Sequence, residues 1–491
     1  MIDEGIGFKK NSKLKNTRLA HNKSNIKLSY SDALEGADKD LIKKKYDLFL
    51  DGEHRKAKKY FNAVNPSSGK VLSIVACASK DDVNIALISA KNNVPSLWSK
   101  KDQGEMAIYL HNIMRLIQKY SKELSIAEAM ENGIPIKIIR KKDINGSIEY
   151  LKTYASWAGN FDLYNGYLYA KQLSFSKGII AINITPNFPV MTAVRSLAPA
   201  LLCGSTVLIK SGPGSAITMY KFAQIINETE LPKGSVNFIS GDDSTDMTLA
   251  SHPLITKFIY SGPVSNGKDI IKAASYSDKI LDMELGSCPI HIIFEDAPLD
   301  QAVDSIFSGY YFSRGYLPGT GSRIFVQESI FKKVVQKLET GIRTLRVRDP
   351  LDRNSDIGPI LNAEYLKKLK VIISRYQKER NIVFQPENEL PGKDGGFWFK
   401  PAILEEFPLS SAAAYDDIPG PIFSLITFRT PKEVIDKVNN SPYGMAAGVW
   451  TSKGSKGFLA IKEINTGILW FNTFNKFAPF SSYSWRKENG N

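Results

Sequence analysis

The sequence predicts an α/β protein built from two doubly wound domains, and three observations carry that expectation. Short, continuous, β-branched runs alternate with stretches at helical spacing: Gly178-Ile-Ile-Ala-Ile182, Ser205-Thr-Val-Leu-Ile209, Ser235-Val-Asn-Phe-Ile239 and Lys257-Phe-Ile-Tyr260. Strands that are apolar on both faces belong in a parallel sheet covered by helices on each side. The alternation starts again in Ile290-His-Ile-Ile-Phe294, Ser322-Arg-Ile-Phe-Val326, Ser424-Leu-Ile-Thr-Phe428, Gly448-Val-Trp-Thr451 and Gly467-Ile-Leu-Trp-Phe471, which calls for a second α/β domain. The third observation is size: 491 residues, 43% of them hydrophobic, can fill two or three cores.

Taken in order, residues 1–45 are rich in Lys, Asn, Ser and Asp with few large apolar side chains, and they read as a basic flexible tail. Tyr46-Asp-Leu-Phe-Leu50 is a strand that ends at the turn Asp51-Gly52. Asn65-Pro-Ser-Ser-Gly69 is a second turn, leading into the strand Val71-Leu-Ser-Ile-Val75. Met106, Leu110, Ile113, Met114 and Ile117 then recur at helical spacing, so one face of a helix is apolar.

Composition excludes several classes of function. The net charge is +14, but the basic residues are scattered, and the densest groups (Lys9 to Arg18, Lys43 to Lys45, Lys56 to Lys59) are short. A solvated basic surface is expected, with no specific nucleic-acid partner. No apolar run approaches the roughly 18 residues that would span a bilayer, and no secretory signal is evident. Cys77, Cys203 and Cys288 form neither a disulfide framework nor a CxxC zinc pair, so reduced thiols, a cytoplasmic location and no metal are expected.

Specific strings narrow the class. Gly178 through Asn187-Phe-Pro189, Leu197 through Lys210, Leu231-Pro-Lys-Gly-Ser-Val-Asn237, Tyr260-Ser-Gly262 through Gly267, Met283-Glu284-Leu-Gly286, Gly321-Ser-Arg323, Ile418-Pro-Gly420-Pro421 and Ser441-Pro-Tyr-Gly444 resemble, in order and spacing, the aldehyde dehydrogenase superfamily. The resemblance runs from about Tyr46 to Gly490. It implies a Rossmann-like NAD(P) domain over 46–157 and 178–284, a catalytic-type α/β domain over 285–465, and a small β oligomerisation arm from 158–177 with 466–491. NAD or NADP would be the cofactor and a small aldehyde the substrate.

Oxidising an aldehyde by hydride transfer requires a tetrahedral adduct first. The family makes it with a cysteine thiolate, steadies the oxyanion with an asparagine, and hydrolyses the thioester with water activated by a glutamate. By resemblance, Asn187 matches the oxyanion asparagine and Glu284 the general base; taken alone, an Asn before Pro189 is a turn residue and a lone Glu is a solvated strand end. The nucleophile's position, anchored on Gly315 and on Gly321-Ser-Arg323, falls on Pro318. Proline has neither a thiol nor a backbone N–H, so one replacement removes the nucleophile and an oxyanion donor together. Cys77 and Cys203 read as core thiols. Cys288, four residues after Glu284, lies on a loop that lines the family's site, but its backbone position would put the sulfur on the wrong side of the carbonyl.

The cofactor positions are thinned in the same comparison. Lys210 matches the lysine that meets the adenosine ribose, but Lys210-Ser-Gly-Pro213 lacks the family's ribose carboxylate. Gly241, Gly262 and Gly267 fall at cofactor positions, with Pro263 and Val264 in place of a polar pair, although packing explains such glycines as well. Asp417 stands where a glutamate holds the nicotinamide ribose, one methylene short. The C-terminal stretch around Pro479-Phe-Ser-Ser-Tyr-Ser-Trp-Arg-Lys-Glu488 is several residues short of the family's pattern, which implies an unfinished arm strand and weaker association. The expected function is an impaired or inactive aldehyde dehydrogenase homologue. The alternatives are an active oxidoreductase working through Cys288 or through a hydrate deprotonated by Glu284, and a scaffold or regulator, as a homodimer or paired with an active paralogue.

Overall fold

The structure, a computed structural model, describes residues 41–93, 103–158, 178–286, 289–313, 323–379, 382–387, 389–391, 395–405, 418, 420–477, 479 and 485–490. Ordered packing starts a little earlier than expected. Leu41 is buried and joins the core, and Lys45 already lies in a strand.

The chain enters through β1 (Lys45–Tyr46), β2 (Leu48–Leu50), β3 (Glu53–Arg55), β4 (Lys59–Val64) and β5 (Val71–Cys77). The turn between β2 and β3 is where the Asp-Gly pair puts it, with Asp51 and Gly52 at φ 56° and 80°. Helices α1 (Lys80–Asn93), α2 (Gln103–Lys119), α3 (Ser121–Asn132) and α4 (Ile136–Ile139) follow, then a π-helical turn, Arg140–Ile144, and α5 (Asn145–Ala158).

After residue 178 the expected alternation appears: β6 (Ile179–Ile184), α6 (Pro189–Leu202), β7 (Thr206–Ser211), α7 (Ala216–Asn227), β8 (Val236–Ser240), α8 (Asp243–Ser251), β9 (Ile255–Gly262), α9 (Val264–Ala274) and β10 (Ile280–Leu285). The sheet runs β10-β9-β6-β7-β8-β2-β3, and β10 to β8 are parallel. Alternation of side chains across each strand explains the continuous apolar runs. Val207 and Ile209 pack into the core under α2, α3 and α5 to α7, while Leu208 packs under α1, α8 and α9.

The second sheet is built from β11 (Ile290–Ile293), β12 (Arg323–Gln327), β13 (Ile382–Phe384), β14 (Ala402–Glu405), β15 (Ile422–Phe428), β17 (Ala446–Trp450) and β18 (Ile468–Phe471), in the order β13-β14-β15-β12-β11-β17-β18. Only its edge strand β13 is antiparallel. Because β18 pairs with β17, this sheet runs past residue 465, the limit expected for the second domain. A two-residue ladder joins β16 (Tyr443–Gly444) to β19 (Arg486–Lys487). Next to it, Asn489 exchanges two hydrogen bonds with Leu285 at the end of β10 and accepts a third from the Gly444 amide at 2.8 Å, tying this ladder to the first sheet.

Candidate functional site

In a parallel sheet every strand ends on the same edge, and the chain leaves that edge in opposite directions where the strand order reverses. Ligands bind in the crevice that this reversal opens. Here the chain goes from β6 outward through β7 and β8, then returns to β9 and β10, so the crevice lies between β6 and β9. Asn187, Lys210, Gly241, Gly262 and Glu284 all fall at or just beyond carboxyl ends of these strands. The sheet thus gathers on one edge five of the six described residues that the sequence nominated, with Gly267 one turn into α9.

Glu284 ends up in a cluster. Arg195 Nη2, on α6, donates to both of its carboxylate oxygens at 2.7 and 2.8 Å, and Ser261 Oγ, opposite it in the β9–β10 register, donates to Oε2 at 2.9 Å. The two charged side chains are 25% and 14% exposed, so the pair sits at the wall of the crevice and not in the core. Tyr150 and Tyr154 of α5 stand beside it. Burial raises both phenols, and the Arg195 charge opposes that shift. Three hydrogen bonds therefore engage the Glu284 carboxylate, and a water that approaches it competes with Arg195 and Ser261.

Asn187 lies half-buried in the turn between β6 and α6. Phe188, the residue after it, is buried and adopts φ 48°, a left-handed conformation that costs a non-glycine residue about 1–2 kcal/mol. Surrounding contacts hold the turn in that shape. The Pro186 carbonyl accepts from Asn132 Nδ2 at 2.9 Å, and the Val190 amide donates to Asp143 at 3.1 Å. Pro189 opens α6, as proline does at a first helical position.

Lys210 does not point out of the fold. Its Nζ lies 2.7 Å from Asp246 on α8, with the two side chains only 5% and 4% exposed. Burial pushes the Asp246 carboxyl up to about 6 despite the lysine, and its Oδ1 has no hydrogen-bond partner. The glycines are close-packing positions. A Cβ on Gly262 would lie 2.6 Å from the Tyr260 hydroxyl, one on Gly267 would collide with Leu285, and one on Gly241 would collide with Thr245. No side chain caps the first turn of α9, which leaves its amides at the crevice. The strand–turn–helix frame therefore fits a dinucleotide phosphate at the start of α9, whereas the Lys210 ammonium is already committed to Asp246.

Pro318, Asp417 and Cys288 lie outside the described residues. Cys77 is buried and Cys203 half-buried, and burial raises both thiols, which makes neither a nucleophile. Among the described residues no helix is long and apolar enough to cross a membrane. Sequence reasoning missed Arg195, Ser261 and Asp246. The one available signal was Arg195 itself, a lone charge in the otherwise apolar Val190–Leu202 stretch, since such a charge needs a partner.

A doubly wound sheet with a carboxylate, an asparagine turn and an uncapped helix start at its switch point defines an α/β protein of dinucleotide-binding type. The comparisons with known proteins make this specific. The sequence profile of the aldehyde dehydrogenase family matches residues 53–490. An NAD(P)+ aldehyde dehydrogenase 2 from Saccharomyces cerevisiae is 28% identical over 451 residues, 89% of each chain. The NAD+ complex of an aldehyde dehydrogenase from Bacillus cereus superposes with a TM-score of 0.85 at 25% identity, over 92% of this chain and 93% of that one. An indole-3-acetaldehyde dehydrogenase from P. syringae, in complex with NAD+, gives 0.84 at 26% identity, over 91% and 92%. The chain belongs to the aldehyde dehydrogenase family.

Proposed function

We propose that this chain is an aldehyde dehydrogenase homologue in which thioester-dependent oxidation is disabled, and that the ligand of its first domain is NAD or NADP. The observation that carries the reading is the occupation of both Glu284 oxygens by Arg195 and Ser261. The sequence register that puts Pro318 in the nucleophile's position supports it independently.

When bound, NAD(P)+ supplies the hydride acceptor. The chain's own residues divide the remaining work. The first-turn amides of α9 would hold the phosphates. The Asn187 side-chain amide would donate to a developing oxyanion. Glu284 would accept a proton from water only in competition with Arg195 and Ser261, and Pro318 offers neither a thiol nor a backbone N–H. A route through a hydrated aldehyde meets the same obstacle, because it also begins with proton transfer to Glu284.

The test is a broad aldehyde panel with NAD and NADP on protein freed of contaminating enzymes, alongside calorimetric titration of both nucleotides. No reduction above background is expected from the wild type. Turnover that disappears in Glu284→Gln would overturn the reading. Pro318→Cys combined with Arg195→Gln is expected to gain iodoacetamide-sensitive turnover that neither single change provides.

A further inference from the structure

Behind the Asn187 turn lies a group of acids with no cation. Glu128 on α3 and Asp143 on the π-helical turn are both fully buried, and none of the ion pairs among the described residues includes either one. Asp143 accepts the backbone amides of Val190 and Met191, the first free donors of α6, one on each oxygen. Receiving two amides is a role for an ionised carboxylate at a helix start. Glu128 faces Asp143 within hydrogen-bonding reach, while its own Oε2 receives no donor. Two acceptor carboxyls cannot hold each other without a proton between them.

We infer that Glu128 is a positioning residue that carries a trapped proton and donates it to Asp143, and that this acid pair fixes the start of α6 and with it the Asn187 turn. Asn132 completes the grip. Its Nδ2 donates to Glu128 Oε1 at 3.3 Å and to the Pro186 carbonyl at 2.9 Å, so the turn is held just before Asn187 by Asn132 and just after it by Asp143. The charged groups facing the pair are its own two members and Glu131, which is occupied elsewhere by the Ile217 and Thr218 amides of α7 at 2.9 and 3.0 Å. Burial raises both acids of the pair. The two α6 amides on Asp143 favour its ionised form, while Glu128 Oε2 receives no donor, and this geometry assigns the proton to Glu128. Folded-state stability from this pair is therefore present at low pH and lost as pH rises through the Glu128 pKa.

The functional meaning rests on Asn187 being the oxyanion donor, but the proton can be tested without any turnover. Infrared difference spectra of the wild-type protein at neutral pH are expected to show the C=O stretch of a buried protonated carboxylic acid. Carbon-13 labelling of glutamate should shift this band, and Glu128→Gln should remove it. Hydrogen exchange gives the second readout. Protection of the Val190 and Met191 amides in the wild type is expected to fall by up to about tenfold per pH unit as pH rises toward the point where the infrared band disappears, and to stay level in Glu128→Gln, whose amide keeps the donor. A missing band, a band insensitive to glutamate labelling, or equal pH dependence in both proteins would overturn the inference. The labelling result stands on the wild type alone, should the variant fail to fold. Failure of the aldehyde dehydrogenase reading would leave all three results unchanged.

Discussion

Two ion pairs close over the same sheet edge at the same 2.7 Å, yet they sit in different solvents. Lys210 and Asp246 are about 5% exposed at the end of β7, whereas Arg195 and Glu284 are 25% and 14% exposed at the end of β10. Distance alone would rank them equal. Burial separates them, because desolvating a charge costs several kcal/mol and only the partner recovers it. The buried pair is a fixed part of the core, where losing one partner strands the other; the half-exposed pair is one that water, an anion or a mutation can exchange.

The largest expected effect breaks the buried pair. Lys210→Met should cost about 3–5 kcal/mol in denaturant unfolding, because it strands the Asp246 carboxyl, and adding Asp246→Leu should recover most of the loss. If the single change costs under about 1 kcal/mol, the pair is not desolvated as described.

The pH profile sharpens the same point. Asp246 is raised to about 6, so its contribution favours the folded state at low pH and fades as pH climbs toward 6. Asp246→Asn should flatten that part of a melting-temperature profile. Asp296 and Asp356, held at about 2 by donors including Lys456 and Arg346, act in the opposite sense: their support is lost only as pH falls toward 2. The two windows do not overlap.

Next in size, Gly267→Ala should destabilise by about 1–3 kcal/mol through its collision with Leu285. Leu285→Ala in the same chain should relieve part of the cost, which a glycine retained only for phosphate approach would not show. Arg195→Gln should cost about 1 kcal/mol, with a salt dependence that Lys210→Met lacks, as differential melts at low and high ionic strength would reveal. The smallest effect belongs to a pair in open solvent. Arg375 and Glu379, four residues apart at the end of a helix and 56% and 40% exposed, should lose only about 0.3–0.5 kcal/mol in Arg375→Ala.

Much of the fold was legible because strand signals are local. Ser205–Ile209 became β7 and Lys257–Tyr260 became part of β9, each within one or two residues. Asp51-Gly52 and Asn65–Gly69 became turns, since the residues that tolerate left-handed backbone announce themselves. Less visible were the edge strand β13 and its neighbour β14, which are only three and four residues long. Gly467–Phe471 was legible as a strand of the second alternation and became β18, although the domain limit expected at residue 465 stopped short of it.

The site was legible by position and illegible by partner. Residues at strand ends could be picked out, but Arg195 finds Glu284 across 89 residues and Lys210 finds Asp246 across 36. Nothing in the local pattern of either strand encodes the meeting. It arises because β9 and β10 return past β6 and bring their ends level with α6.

The sequence by itself determined which segments are strands and helices, which residues could do chemistry, and that a proline stands at position 318. These follow from side-chain periodicity and covalent structure, both properties of neighbours along the chain. Only the tertiary structure decided that Lys210 faces inward, that Glu284 is held by Arg195 and Ser261, and that three acids lie buried around two helix starts. Those outcomes depend on which distant groups share a low-dielectric space, and desolvation acts through the whole packed fold, not along the chain.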